Sequence, residues 1–300
     1  MRNIWTLKAS SVAVKSMQKM KLLSRGQFLR KFCAEFLTIA ALHVLPTSSF
    51  AYVDLSLTGL MRSYTPGFSL NPMVGYSQPL WGNLSTPWYG FVRPYAIGVL
   101  SPSVYEGKVG LEVFPISILG LDIRRAYGRR FVNTKNQNCD VLECQGELSY
   151  TDLSLQSFFG FEDLFGSIRF TRTFFDGKTA RSFPVYELGS SVLLSANGDV
   201  GDYWSIAIGR RFIGVLSGVT WGILHQRHEF AEYQQNLRAT YFFVGFGRLS
   251  VSSQSADLHP LKSDRLTVGI GSFQSSRNIT ELSLVASYLY SIRSAIGHGR

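Results

Sequence analysis

Charge is scarce in this chain, and so is cysteine. Asp, Glu, Lys and Arg together make up 17% of the 300 residues, against roughly 25% in an average soluble protein. Hydrophobic residues are 45%, too many for a disordered chain, which combines low hydrophobicity with high charge. Beyond residue 51 no run of 18 apolar residues occurs, which argues against spanning helices. Three cysteines are too few for a disulfide-dense scaffold. A Gly-x-Ser-x-Gly elbow is missing. The pairs Gly245/Gly247 and Gly269/Gly271 lack the third glycine of a dinucleotide fingerprint. What is abundant is aromatic residues, at 14%, and glycine, at 28 positions.

The formal charge of +10 is unevenly placed. Residues 1–51 hold eight Lys and Arg and a single acid, Glu35, which leaves 22 basic against 19 acidic residues in the remainder. A near-neutral remainder gives no basic patch of the kind nucleic acid requires, so no nucleic-acid partner is expected. The leader itself has a basic region ending at Arg30-Lys31, an apolar stretch from Phe36 to Val44, and a small-residue exit at Ser49-Phe50-Ala51. This three-part pattern predicts a secretory signal peptide over 1–51, cleaved after Ala51, and a single domain over 52–300. Met17 and Met20 lie within the long basic region, and a start at Met20 gives a leader of ordinary length. Export places Cys139 and Cys144 in an oxidising compartment, and an even pair there predicts a disulfide within a polar loop.

The remainder alternates with period two, the mark of strands with one apolar and one polar face. Val109, Leu111 and Val113 oppose Lys108 and Glu112; Leu121 and Ile123 oppose Asp122 and Arg124; Ile168 and Phe170 oppose Arg169. Turn signals such as Asp176-Gly177 and Asn197-Gly198-Asp199 separate the runs. The spacing predicts an all-β chain of about 12 strands, with 10–14 possible. One is placed at 184–195, a weaker one at 264–274, and a hairpin within 236–255 would raise the count to 14. Two architectures share this rhythm, a soluble β-sandwich or barrel and an antiparallel transmembrane β-barrel. Three features favour the second. The alternation recurs along nearly the whole chain. The charges Lys108, Glu112, Asp122, Arg124 and Arg169 fall opposite the aliphatics, which predicts that they face the lumen. Trp81, Trp88, Tyr89, Tyr203 and Trp204 gather near turns, as interfacial girdles do.

The C-terminal run sets Leu282, Leu284, Ala286, Tyr288, Tyr290 and Ile292 against Glu281, Ser283, Val285, Ser287, Leu289 and Ser291. It resembles the last strand of bacterial outer-membrane β-barrel proteins, as a pattern of the broad class and not of one family. One departure is that eight residues follow Ile292. The resemblance implies a Gram-negative outer membrane, with outer-membrane lipid, lipopolysaccharide and the barrel-assembly machinery as partners. With both ends periplasmic, the long Cys-bearing connection faces outside, yet the polar segment Gln226–Gln235 then falls on the periplasmic side. That conflict points to a strand miscounted between 184 and 236.

Chemistry is thinly marked. His225 and His228 are three apart, so on a strand their rings take opposite faces and share no metal. No metal or cofactor is expected on these residues, and no catalytic residue is assigned. The functional expectation is a structural barrel or a narrow passive channel, because open aqueous pores are typical of wider barrels of 16–18 strands. A barrel-borne lipid hydrolase and a soluble periplasmic all-β binding protein stay open as alternatives. Arg129-Arg130 and Arg210-Arg211 are candidates for lipopolysaccharide phosphates if they sit at a membrane rim.

Overall fold

The computed structural model describes residues 50–63, 67–82, 88–130, 146–176, 185–187, 192–194, 198–212, 218–232, 234–249, 261–274 and 280–297. The expected leader, apart from Phe50 and Ala51, and both Cys139 and Cys144 lie outside these residues. The strands are β1 (Phe50–Arg62), β2 (Gly67–Trp81), β3 (Gly90–Leu100), β4 (Val104–Ile116), β5 (Leu119–Arg130), β6 (Gly146–Phe161) and β7 (Leu164–Asp176). They continue with β8 (Val185–Glu187), β9 (Val192–Leu194), β10 (Gly198–Arg211), β11 (Val219–Phe230), β12 (Gln235–Leu249), β13 (Leu261–Gln274) and β14 (Thr280–Gly297). Among the described residues there is no helix.

Twelve of these strands form one closed antiparallel barrel in which each pairs with its sequence neighbour. β7 pairs directly with β10 and β14 returns to β1, so the sheet has no open edge. Closure leaves no wall strand with an unpaired row of backbone N–H and C=O groups. The seam is long, from Phe50 opposite Gly297 to Arg62 opposite Val285. β14 therefore runs on past Ile292, and five of the eight trailing residues pair within the wall.

The expected class and count are what the structure shows, but by different strands. The span 184–195 holds only the three-residue strands β8 and β9, which pair with each other outside the barrel. The weaker span 264–274 is a full wall strand, β13. β12 is one unbroken strand through Leu249, with no hairpin inside it, and it pairs with β13. Exchanging one strand for the other moves the 231–234 turn to the same end as the 131–145 connection, which removes the orientation conflict. Both termini of the barrel lie at the opposite end, where the tightest turns are the two-residue links at 117–118 and 162–163.

Alternate residues of each strand face in and out. The outward rows carry the aliphatic and aromatic side chains, with Leu282 70% exposed, Val109 61% and Ile223 55%. The largest fully buried side chains are Asp122, Asp152, Ser154 and Ser283. This is the reverse of a water-soluble domain, where charged residues are almost never fully buried. The apolar rows are uneven in height. On β14 the outward row is apolar at six successive positions, Leu282, Leu284, Ala286, Tyr288, Tyr290 and Ile292. On β10 to β13 it is apolar at three: Trp204, Ile206 and Ile208; Val219, Trp221 and Ile223; Phe242, Val244 and Phe246; Leu266, Val268 and Ile270. Towards the end away from the termini these four short rows turn polar, at Asp202, His225, Thr240 and Ser272.

Candidate functional site in the barrel interior

The inner faces of β3 to β7 carry a connected set of charges. Arg93 on β3 donates from Nε to Glu112 Oε2 on β4 at 2.7 Å, and its Nη1 lies 3.7 Å from Asp54 of β1. Asp54 also accepts from Ser77 Oγ and from Arg293 Nε, each at 2.5 Å, and so ties β14 to β1 and β2 across the seam. Tyr95 donates its hydroxyl to Asp122 Oδ1 at 2.7 Å, and Arg169 reaches the other oxygen at 3.1 Å. Arg124 donates to Asp152, which also accepts from Thr173. Lys108 bridges Glu106 at 2.8 Å and Tyr150 Oη at 2.9 Å, and Tyr150 in turn donates to Glu106. Each of these acids is matched by a base, and Asp54, Glu106, Asp122 and Asp152 each accept from a hydroxyl as well. That pairing is what makes such burial tolerable, because stranding one partner of a buried pair costs about 3–5 kcal/mol.

The opposite half of the wall is chemically different. Phe230, Leu237, Ala239, Tyr241 and Phe273 form a buried cluster on β11 to β13, with Val285 of β14 packed against it. Its polar anchors are few. Tyr241 donates to Ser283 Oγ at 3.2 Å, and Arg265 donates to Thr220 Oγ1 at 2.8 Å.

Among the described residues, two interior cavities bear on the site. One, of about 310 Å³, is lined by Glu106, Arg124 and Asp152 among others. The second, of about 720 Å³, has Arg62, Arg265 and His228 as its basic lining and no acidic side chain. Tyr203 and His228 line both. Their rings lie 4.4 Å apart at 49°, and Gln226 Nε2 donates to Tyr203 Oη at 2.8 Å. The pair is thus a fixed aromatic partition where the two cavities meet.

The structure sets Lys108, Glu112, Asp122, Arg124 and Arg169 on the inner rows, all within the paired network of β3 to β7. Glu112 is buried at 7% exposure and Asp122 at 1%, so these positions are packed and ion-paired, not wet. Tyr203 is an inner residue, which removes it from the expected girdle, while its neighbour Trp204 faces out. His225 faces out, with Nδ1 2.9 Å from Thr240 Oγ1, and His228 faces in. Arg130 and Arg211 also take inner positions, whereas Arg129 and Arg210 point out, with Arg210 3.7 Å from Asp163. Among the described residues no three His, Cys, Asp or Glu side chains converge as a metal site would require.

Sequence reasoning passed over Asp54, Arg93, Tyr95 and Asp152. Arg93 and Tyr95 share one parity in a run interrupted by Pro94, and that parity was the available signal. Their partners follow only from the register between strands.

No protein-family model matches the chain, and no curated protein matches it. Solved structures do. The NanC porin is 10% identical over 80% of this chain and 98% of its own, with a TM-score of 0.38. The β domain of the Bordetella autotransporter BrkA is 9% identical over 81% and 99%, with a TM-score of 0.39. The COG4313 outer membrane channel from Pseudomonas putida F1 is 10% identical over 81% and 94%, also at 0.39. These are likenesses to other barrels, and no solute or activity is carried over from them.

Proposed function

We propose that this chain is a narrow passive channel of the outer membrane of a Gram-negative bacterium. The observation that carries the reading is the inverted polarity of a closed barrel. Apolar side chains form the outside, and charges with hydrogen-bonded partners form the inside. Hydrocarbon offers backbone groups no partner, so a sheet can span it only when closed. A water-soluble protein that exposed such a belt would aggregate, since apolar patches larger than a few hundred Å² are rare on soluble monomers. The two longest connections, 131–145 and 177–197, share the end away from the barrel termini, which supports placing that end outside the cell.

Within the lumen, solutes pass the Tyr203–His228 partition, and the larger cavity, basic without an acid, favours small anions over cations. Coulomb attraction in a low-dielectric wall supports that preference. The test has two parts. Unheated protein should migrate differently from boiled protein on an SDS gel, and the folded form should conduct small ions across a planar bilayer. A barrel that shifts on the gel but never conducts leaves a membrane barrel without a channel. A detergent-independent soluble form that never shifts overturns the membrane reading itself.

A further inference from the structure

The outer wall carries an arrangement that a lipid-facing surface does not need. On β11 and β12, Arg227 stands directly opposite Arg238, both pointing outward. Like charges directly opposite in an antiparallel pair destabilise it. Neighbouring outward arginines avoid this. Arg125 is paired with Asp176 and Arg172 with Asp202. Arg227 shares Glu229 on its own strand, but Arg238 is exposed and has no hydrogen-bond or ion-pair partner among the described residues. Arg227 Nε is itself buried without an acceptor. One row lower, His225 and Thr240 lie side by side at 2.9 Å, and Trp204 flanks Arg227 on β10.

The depth of this cluster matters. It sits immediately above the three-position apolar rows of β10 to β13, at the end of the barrel away from the termini. Three alternate strand positions span only about 13 Å, well short of the roughly 25 Å band of an outer-membrane barrel. The two guanidinium groups are therefore held low, where the polar head groups of the outer leaflet meet its acyl chains. A planar fork of N–H donors matches a phosphate group bidentately.

We propose that Arg227 and Arg238, with His225 and Thr240 beside them, form a binding site for the phosphate of an anionic glycolipid of the outer leaflet, of the lipid A type. The occupant supplies the negative charge that the wall omits between the two arginines, and Trp204 packs against its acyl or sugar portion. The inference rests on the outer-membrane reading above.

The test uses the folded full barrel in neutral detergent and compares it with two double variants. Arg227→Gln/Arg238→Gln empties the site; Arg125→Gln/Arg172→Gln removes two outward arginines that already face acids. Each is mixed with bisphosphorylated lipid A, and retained lipid is counted by native mass spectrometry. The expected result is one lipid A retained by wild type and by the control pair, with at least a tenfold loss in Arg227→Gln/Arg238→Gln. Lipid A stripped of phosphate should be retained poorly by all three. Equal retention by the site variant, or equal retention of the dephosphorylated lipid, overturns the site. So does displacement by equimolar inorganic phosphate, which would mark a simple anion site, or a wild-type dimer that holds no lipid. Gel mobility is read on the same samples. Loss of the heat shift in wild type would count against the membrane barrel, whereas a preserved shift without lipid retention counts against this site alone.

Discussion

The Tyr95 ring lies across Gly110 to bring its hydroxyl to Asp122, spanning β3 to β5 in one side chain. A Cβ at position 110 would stand 2.6 Å from that ring, so the glycine is what lets the contact form. Tyr95→Phe leaves Asp122 with Arg169 alone and should cost about 1.5–3 kcal/mol, the range for a hydrogen bond to a charged group. Gly110→Val should be worse, because it displaces the ring as well. Urea unfolding of the barrel in detergent measures both. Wild-type stability in Gly110→Val would show that the crossing contributes nothing.

Leu111 and Glu112 are adjacent in sequence and opposite in environment. Leu111→Arg should cost about 2–4 kcal/mol near mid-membrane. The alternation alone suggests that Glu112→Arg is mild, since a lumen-facing position next to Lys108 reads as wet. The structure reverses that expectation. Glu112 is buried and holds Arg93, so Glu112→Arg sets two guanidinium groups together and should rival the first variant. Dyes attached at 111 and 121 should be reached by lipid-borne quenchers, and dyes at 112 and 122 should not.

Removal of the aromatic partition should widen the passage. Tyr203→Ala merges the two cavities and deprives His228 of its ring contact. Single-channel conductance is expected to rise several-fold with the heat shift unchanged. Unchanged conductance would locate the narrow point elsewhere.

The charge of the larger cavity is testable separately. Arg265→Glu places an acid where the lining has none and should move the reversal potential in a salt gradient from anion-favouring towards cation-favouring. A reversal potential that ignores the substitution removes Arg265 from the ion path.

Cleavage after Ala51 would leave most of the seam in place. A chain beginning at Tyr52 keeps the seam from Tyr52 opposite Ala295 onward and gives up only the pairs at Phe50 and Ala51. Intact mass of the protein from the envelope should correspond to residues 52–300. A retained basic segment would argue against export by a cleaved leader.

Period-two alternation made the wall readable in the sequence, because the pleat imposes it on each strand locally. It told Leu111 from Glu112 and Leu121 from Asp122 without any partner being known. It failed where local pattern and sheet membership part. Val185, Tyr186, Val192, Leu193 and Leu194 look like strand yet form only a short hairpin, while Gly269 and Gly271 dilute β13, which is a wall strand. The two errors cancelled in the count and were exposed by loop sidedness. The interior contacts were not readable at all. Asp54 meets Arg293 only because the barrel closes, and Arg93 meets Glu112 only in one register.

The unequal height of the apolar rows has a mechanical outcome. A leaflet of uniform thickness cannot match six apolar positions on β14 and three on β10 to β13 at once. Mismatch costs fractions of a kcal/mol per Å, enough to tilt a protein or deform the lipid around it. The barrel should rest at a lean, with the surrounding bilayer pinched along one flank and relaxed along the other. Two such barrels lower the total deformation by bringing their pinched flanks together, so lipid elasticity alone can orient neighbours that share no protein contact.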